Sequence, residues 1–260
     1  PGGAELARAA LAEVLADGPG LGGLPQGTLE LGVGFWASRA FVKLRRKYAT
    51  RARARRAWDM VRPQRYPNVK PLELFPCCHK LIRRATDLFG LAPQPAAALN
   101  VILRRYLPGD WLGRHVDDVR MFAEPVFSTV LEVGGPRDGL IFTLPESEHG
   151  LELARKDALA AGASSLLEGG ALPDAPFQIE EASGNVLCLE REARYLYGHE
   201  VPRLSARRVS MTWRWLSPAF ASEVEGVSRW LAEEDEVDAA QPRQPPSAEA
   251  HHPRSVAAEE

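Results

Sequence analysis

The sequence predicts a mainly β domain with flanking helices, an α+β chain whose strands close into a sandwich or barrel. Three observations point there. After residue 96, short β-branched and aromatic runs follow one another, punctuated by Gly and Pro. Before residue 90 the composition is helical. The last strand-like run, 207–216, carries Val209, Met211, Trp213 and Trp215 at alternate positions, with Arg208, Ser210, Thr212 and Arg214 between them. Alternate residues of a strand face opposite ways. One face is therefore apolar and suited to packing beneath helices, and the other gathers two cations and small hydroxyl donors.

In chain order, residues 3–16 (GAELARAALAEVLA) read as a helix, which the Gly/Pro-rich stretch 18–27 breaks. Residues 37–60 are helical in composition and strongly basic: Lys43, Arg45, Arg46, Lys47, Arg51, Arg53, Arg55 and Arg56 face Asp59 as their counter-charge. A third helical stretch, about 72–90, ends at Gly90. Strands are predicted near 98–107, 125–133, 139–144, 176–182, 185–190, 193–201 and 207–216. A partly helical, Gly- and Ala-rich insertion, 145–175, interrupts them. Residues 217–233 read as a final helix, and the Pro, Glu and Ala tail, 234–260, lacks the apolar residues needed to offset ordering and is expected to be disordered. The divisions are thus a helical region 1–96, a β core 97–216, a C-terminal helix and a tail.

A chain of 260 residues, 45% hydrophobic, can bury one sizeable core. A net charge of −2 points to no partner by itself, and no apolar run approaches membrane-spanning length, so no membrane partner is expected. The chain opens on Pro1 rather than Met, as a fragment or processed form would. Its cysteines are Cys77, Cys78 and Cys188, an odd number with one adjacent pair. That is no disulfide framework and favours a reducing, intracellular compartment, nuclear or cytoplasmic, with an organelle as the alternative. The lack of a CxxC pair argues against a zinc ribbon.

The chemistry concentrates in two places. Residues 106–118 read YLPGDWLGRHVDD, so His115 and Asp117 stand two apart and on a strand would project to the same side. His199 follows in ARYLYGHEV. Two His and one carboxylate on one face of octahedral Fe(II) leave three positions open, two for a chelating 2-oxo acid and one for O2. H-x-D alone is a weak signal, and a lone buried His is more often a satisfied core residue. Among the other histidines, His149 in ESEHG reads as a surface residue, His251 and His252 fall in the tail, and His79 beside Cys77 and Cys78 lacks a second cysteine pair. The second place is the arginine face of 207–216. A guanidinium fork matches a carboxylate with two parallel hydrogen bonds. Tyr106 and Ser210 could add hydroxyl donors. The alternative for Arg208 is a salt bridge to Glu190 or Glu192 on a neighbouring strand.

Together RRYLPGDWLGRHVDD, LYGHEV and RRVSMTWR resemble the AlkB family of Fe(II)/2-oxoglutarate dioxygenases, over roughly 97–216. HVDD and ARRVSMTWRWLSPAF are most similar to its AlkB homologue 4 branch. The resemblance implies a double-stranded β-helix core of the jelly-roll or cupin kind. It implies Fe(II), 2-oxoglutarate and O2, and oxidative demethylation of N-methylated DNA or RNA with release of formaldehyde, CO2 and succinate. By position, His115, Asp117 and His199 match the iron ligands. Tyr106, Arg208 and Ser210 match residues that hold 2-oxoglutarate, and Arg214 the second Arg near its metal-side end. Arg104 stands where the family has Asn, and Val119 where nucleic-acid repair members often have an acidic residue, with Asp118 adjacent.

In the family the segment before the barrel supplies the substrate lid. Here 43–65 is basic, with Tyr48, Trp58 and nearby Tyr66 interleaved. Basic side chains there could neutralise phosphates and aromatics could stack on an unpaired base. Arg51, Arg55 and Trp58, with Arg104 and Asp118, are therefore candidate substrate contacts. The alternative is a solvated helix whose aromatic residues merely pack. Two other readings stand beside the nucleic-acid demethylase: a demethylase or hydroxylase of protein side chains, favoured by Val119 and the acidic tail, and a non-catalytic binding protein on the same fold. The chain is expected to be monomeric.

Overall fold

The computed structural model describes residues 2–16, 27–65, 69–92, 98–135, 138–163 and 175–233. The predicted tail, most of the Gly/Pro break, Tyr66 and the segment 164–174 of the insertion lie outside the described residues. Helix α1 spans Gly3–Ala16, as predicted, and is followed by strand β1 (Thr28–Gly32). The basic stretch forms two helices, α2 (Phe35–Lys47) and α3 (Arg51–Arg65), rather than one. Tyr48 leaves the helical region of backbone space, at φ −119° and ψ 130°. The break lets Phe41, Leu44 and Tyr48 of the first arm share a small core with Ala54 and Trp58 of the second. Strand β2 (Val69–Lys70), a 3₁₀ turn at Leu72–Leu74 and helix α4 (Pro76–Leu88) complete the N-terminal part. Pro76 opens α4, where its missing N–H costs nothing.

The β core runs β3 (Leu99–Tyr106), β4 (Leu112–His115), β5 (Val126–Glu132), β6 (Gly139–Thr143), helix α5 (Glu148–Ala160), β7 (Phe177–Glu180), β8 (Val186–Leu189), helix α6 (Arg191–Tyr195), β9 (Gly198–Val201) and β10 (Arg208–Trp215). Helix α7 (Pro218–Ala232) follows, capped by the Ser217 hydroxyl, which accepts from the Phe220 N–H at 3.2 Å.

One sheet has the order β2-β1-β3-β10-β5-β8, the other β4-β9-β6-β7. β3, β5, β8 and β10 thus share one wall and β4, β6, β7 and β9 the opposite wall. Each core pairing is antiparallel. A chain that alternates between two walls in this order is a double-stranded β-helix, as the motif resemblance implied. β1 and β2 extend the larger sheet beyond β3. The run predicted as a strand at 193–201 is a strand only from Gly198. Arg191 adopts φ 51°, its N–H bonds the Glu124 carboxylate at 3.0 Å, and the next turn is helical.

The faces of β10 sort as the alternation predicts. Val209, Met211, Trp213 and Trp215 join Leu29, Leu31, Val101 and Leu103 beneath α1 and α4 in the main core. Trp213 stacks on Phe127, ring centroids 5.2 Å apart and planes within 10°. Full burial of such side chains contributes about 1.5–3 kcal/mol each, so this layer anchors the larger sheet. The opposite face of β10 lines the barrel interior, and there Arg208, Ser210 and Arg214 are buried.

Candidate metal and co-substrate site

The turn that leads into the site is built by LPGD. Pro108 and Gly109 (φ 92°) form the corner, the Asp110 N–H bonds the Leu107 carbonyl at 3.0 Å, and the Asp110 carboxylate accepts the Leu107 N–H at 2.7 Å. β4 then carries His115 to its end, directly opposite His199 of β9. The two imidazoles stand with ring centroids 4.5 Å apart. Asp117 is not on the strand, as the H-x-D spacing suggested, but in the loop after it. The loop still turns its buried carboxylate inward, with Oδ2 3.9 Å from His199 Nε2. The residues predicted from two stretches, His115 with Asp117 and His199, therefore come together.

The protonation states suit metal ligands. His115 Nδ1 lies 2.8 Å from the Gly113 carbonyl, which can only accept, so Nδ1 carries the proton and the Nε2 lone pair is free. Burial holds the His115 pKa below its ordinary value, helped by the cations of Arg104 and Arg214. Burial pushes His199 down to about 3, with His115 and Arg194 adding to the effect. Two neutral imidazoles and a carboxylate are an N/O donor set suited to Fe(II). Among the described residues the donors are not already gathered into a three-group metal cluster. Asp117 Oδ1 is hydrogen-bonded by Arg214 Nη1, and Oδ2 lies toward His199.

The loop that presents Asp117 is fastened by a residue that no sequence motif singles out. Buried Arg194 donates to the carbonyls of Asp117 and Phe122, each at 2.9 Å, and of Asp118 at 3.3 Å. Asp118 itself, a candidate substrate contact, shapes this turn. Its carboxylate accepts from the N–H groups of Arg120 at 3.1 Å and Met121 at 3.2 Å. Val119 packs against the inner core. A lone Arg in a short helix gives no sequence signal of such a role.

The inner wall beside these residues is cationic. β3 and β10 pair Asn100 with Arg214, Arg104 with Ser210 and Tyr106 with Arg208. Arg214 donates through Nε to the Asn100 carboxamide oxygen at 3.1 Å and lies over the Phe122 ring at 3.9 Å. Burial lowers its pKa to about 9, so it remains charged at neutral pH. Asn100 shares a strand face with Arg104 and Tyr106 in the sequence, but only the structure gives it a role.

Arg208 has an acidic partner on the inner wall. Its fork is filled by Glu181, with Nε–Oε2 at 3.0 Å, Nη2–Oε1 at 2.7 Å and Nη2–Oε2 at 2.8 Å. The side chains are 2% and 4% exposed. The salt-bridge alternative for Arg208 is therefore realised, with Glu181 from the end of β7 in place of Glu190 or Glu192. Arg208 Nη1 and Arg104 Nε are buried without a hydrogen-bond partner. Both guanidinium groups lie near the Tyr106 ring, Arg208 at 5.3 Å and Arg104 at 5.9 Å. Orphaned donors on a cationic wall next to a His, His, carboxylate set fit an anionic chelator of a bound metal. A cavity of about 410 Å3 at the β5 and β8 side, lined by Phe89, Val130, Glu181 and Leu187 among others, includes neither the histidines nor the arginines of this wall.

The remaining candidate substrate contacts have structural partners. Arg51 pairs with Glu233 at 2.7 Å, Arg55 donates to the Leu231 carbonyl, and Trp58 packs on Phe41 with ring centroids 5.0 Å apart. They fasten α2 and α3 to α7. The packing alternative holds for Trp58 and Tyr48, which join the same small core. Lys43, Arg45, Arg46, Lys47, Arg53 and Arg56 remain exposed, and so does His149.

No family model and no curated protein matches the chain. Among solved structures it is similar to a prolyl-4-hydroxylase of Pseudomonas putida, at 15% identity and a TM-score of 0.33, over 54% of this chain and 62% of that one. The viral collagen prolyl hydroxylase of Paramecium bursaria Chlorella virus-1, in complex with 2OG, gives 14%, 0.31, 55% and 71%. An oxidoreductase of the 2OG-Fe(II) oxygenase family from Burkholderia pseudomallei gives 16%, 0.30, 52% and 49%. The chain thus spans under two thirds of the first and third of these. The double-stranded β-helix stands on the strand order itself.

Proposed function

We propose that this chain is an Fe(II)- and 2-oxoglutarate-dependent dioxygenase, AlkB-like, that oxidatively demethylates N-methylated nucleic acid. The observation that carries the reading is His115 facing His199 across paired strands, with the Asp117 carboxylate 3.9 Å from His199, beside a wall holding Arg104, Arg208 and Arg214. With iron, 2-oxoglutarate and O2 bound, the chemistry supplied is decarboxylation of the 2-oxo acid to succinate and CO2 coupled to hydroxylation of a methyl carbon, which departs as formaldehyde.

This chain's own residues would do the following. His115 Nε2, His199 Nε2 and Asp117 would hold the metal. The Gly113 carbonyl fixes the His115 tautomer, an outer-shell hydrogen bond of the kind that orients metal ligands. Arg214 is hydrogen-bonded to Asp117 and would keep one carboxylate oxygen turned from the metal. Ser210 and Tyr106, both buried on the same wall, would supply hydroxyl donors to the co-substrate.

Nucleic acid is the substrate class favoured by the exposed cations of α2 and α3. A methylated protein is the second reading. It is favoured by the engagement of Tyr48 and Trp58 in packing, which removes the aromatic platform a base would stack on. A coupled decarboxylation assay with methylated DNA, RNA and peptide panels decides between them. Iron-dependent formaldehyde release with a nucleic acid is the expected result, release with a peptide alone moves the substrate class, and no 2-oxoglutarate consumption under any condition rejects the dioxygenase reading.

A further inference from the structure

The cations of α2 and α3 meet almost no acid within those helices, where Asp59 stands against a run of Lys and Arg. Lys43, Arg45, Arg46, Lys47, Arg53 and Arg56 are exposed, and none of them makes an ion pair among the described residues. A patch of one sign on a folded surface repels itself and attracts an anion. The chain carries a block of acid at the point where it leaves α7.

The end of α7 is fixed against the basic helices. Val227 and Leu231 share a small core with Leu44 and Ala54. Arg55 donates to the Leu231 carbonyl, and Arg51 pairs with Glu233 at 2.7 Å. Glu233 has φ −59° and ψ 131°, so the chain turns there from helical into extended backbone. Beyond the described residues the sequence continues as Glu234, Asp235, Glu236, Val237 and Asp238, carboxylates with no cation among them. Five extended residues reach at most about 17 Å. Helix α3 has 15 residues and is about 22 Å long. The acidic block therefore starts on α3, at the Arg51–Glu233 pair, and is long enough to follow most of that helix.

We infer that residues 234–238 lie across the cationic face of α2 and α3 as an intramolecular counter-ion, and that an outside polyanion has to displace them to bind there. One exposed ion pair is weak. Carboxylates tethered at Glu233 act at an effective concentration of about millimolar, and each guanidinium fork matches a carboxylate. A phosphate backbone and the acidic block cannot use the same cations at once. Apparent affinity for the polyanion then falls to the share of molecules whose face is open. The competition with nucleic acid rests on the nucleic-acid reading above, whereas the docking of the block needs only the charges and the exit of α7.

The test compares the full chain with a variant carrying Glu234→Gln, Asp235→Asn, Glu236→Gln and Asp238→Asn, which keeps Glu233 and the chain length. Modification of Arg53 and Arg56 by phenylglyoxal is followed by peptide mass spectrometry in about 20 mM salt, where surface charges are little screened. Exposed Arg83, on α4, is the reference. Arg53 and Arg56 should react about fivefold faster in the variant, because the block no longer covers them. Arg83 should react equally in both proteins, and the difference should vanish in about 0.5 M salt. Fluorescence anisotropy in the low-salt buffer should show a labelled single-stranded oligothymidylate bound about tenfold more tightly by the variant. Equal modification of the two proteins overturns the inference. So does oligothymidylate binding of equal, measurable strength, and so does protection that grows with protein concentration, which would put the block on a second copy. Each of these leaves the nucleic-acid reading intact. Protection in the wild type with no oligothymidylate binding by either protein supports the docking and overturns the nucleic-acid reading.

Discussion

Arg194 donates a 2.9 Å hydrogen bond to the main-chain carbonyl of Asp117, across 77 residues of sequence. The same guanidinium holds the carbonyls of Asp118 and Phe122, so one side chain sets the path of the whole loop. Arg194→Ala leaves those carbonyls without their donor, and stability should fall by about 3 kcal/mol in urea denaturation. Metal affinity should fall as well, because Asp117 loses its support. Arg194→Lys should recover part of the stability and little of the metal affinity, since a single ammonium nitrogen cannot reach the three carbonyls that the two Nη atoms of the guanidinium hold. Unchanged Mn(II) binding in Arg194→Ala would show that the loop holds its shape without the clamp.

His115→Ala and Asp117→Ala should abolish iron-dependent turnover while the far-UV circular dichroism stays that of the wild type. Removing one of three protein donors leaves too few to retain the metal. Full activity in either variant would locate the metal elsewhere.

Trp213→Ala should cost about 3–5 kcal/mol, the range for a large aromatic removed from a packed core. Trp213 is fully buried and stacked on Phe127 under the helices. The loss should appear as a lower denaturation midpoint with an unchanged slope.

Replacing Lys43, Arg45, Arg46, Arg53 and Arg56 with Gln should leave thermal stability unchanged, since all are exposed. On the nucleic-acid reading it should flatten the dependence of log K on log salt by about 0.9 for each duplex DNA phosphate that is no longer neutralised. Filter binding across a salt series measures the slope. A slope equal to that of the wild type would assign these helices no part in nucleic-acid binding.

The thiol of Cys188 should resist alkylation. Burial raises its pKa from 9.0 to about 12, and the nearby Glu190 and Glu124 carboxylates add to the effect. A thiol raised in the folded state favours folding below its unfolded pKa, and that contribution fades as pH rises from about 9 to about 12. Native protein at pH 8 should react with iodoacetamide at Cys188 far more slowly than denatured protein. Equal rates would mean that the site opens freely.

Much of the β core can be read from the sequence because its longer strands alternate cleanly. β10 is the clearest case: Trp213 and Arg214 go to opposite sides, as the period of two requires. β4 cannot be read. Its ladder with β9 is secured at only two positions, Leu112 with Val201 and His115 with His199, and its register is broken between them. β1 is hidden by Glu30 at the centre of a short apolar run. The helix hairpin of α2 and α3 reads as one helix because composition is blind to the turn at Tyr48, which tertiary packing selects. For the site, His115, Asp117 and His199 are legible as a set of motifs. Glu181 is not, because its pairing with Arg208 joins the end of a strand of one sheet to a strand of the other. Arg194 is not, because main-chain acceptors leave no trace in side-chain pattern.

The two faces of β10 also limit how the gene can change here. One insertion or deletion inside Arg208–Trp215 would move every later side chain to the other wall. Indoles would then fill the barrel interior and guanidinium groups would be driven under the helices. The strand can therefore drift in length only by pairs of codons, and tolerated indels should be confined to the loops at its ends.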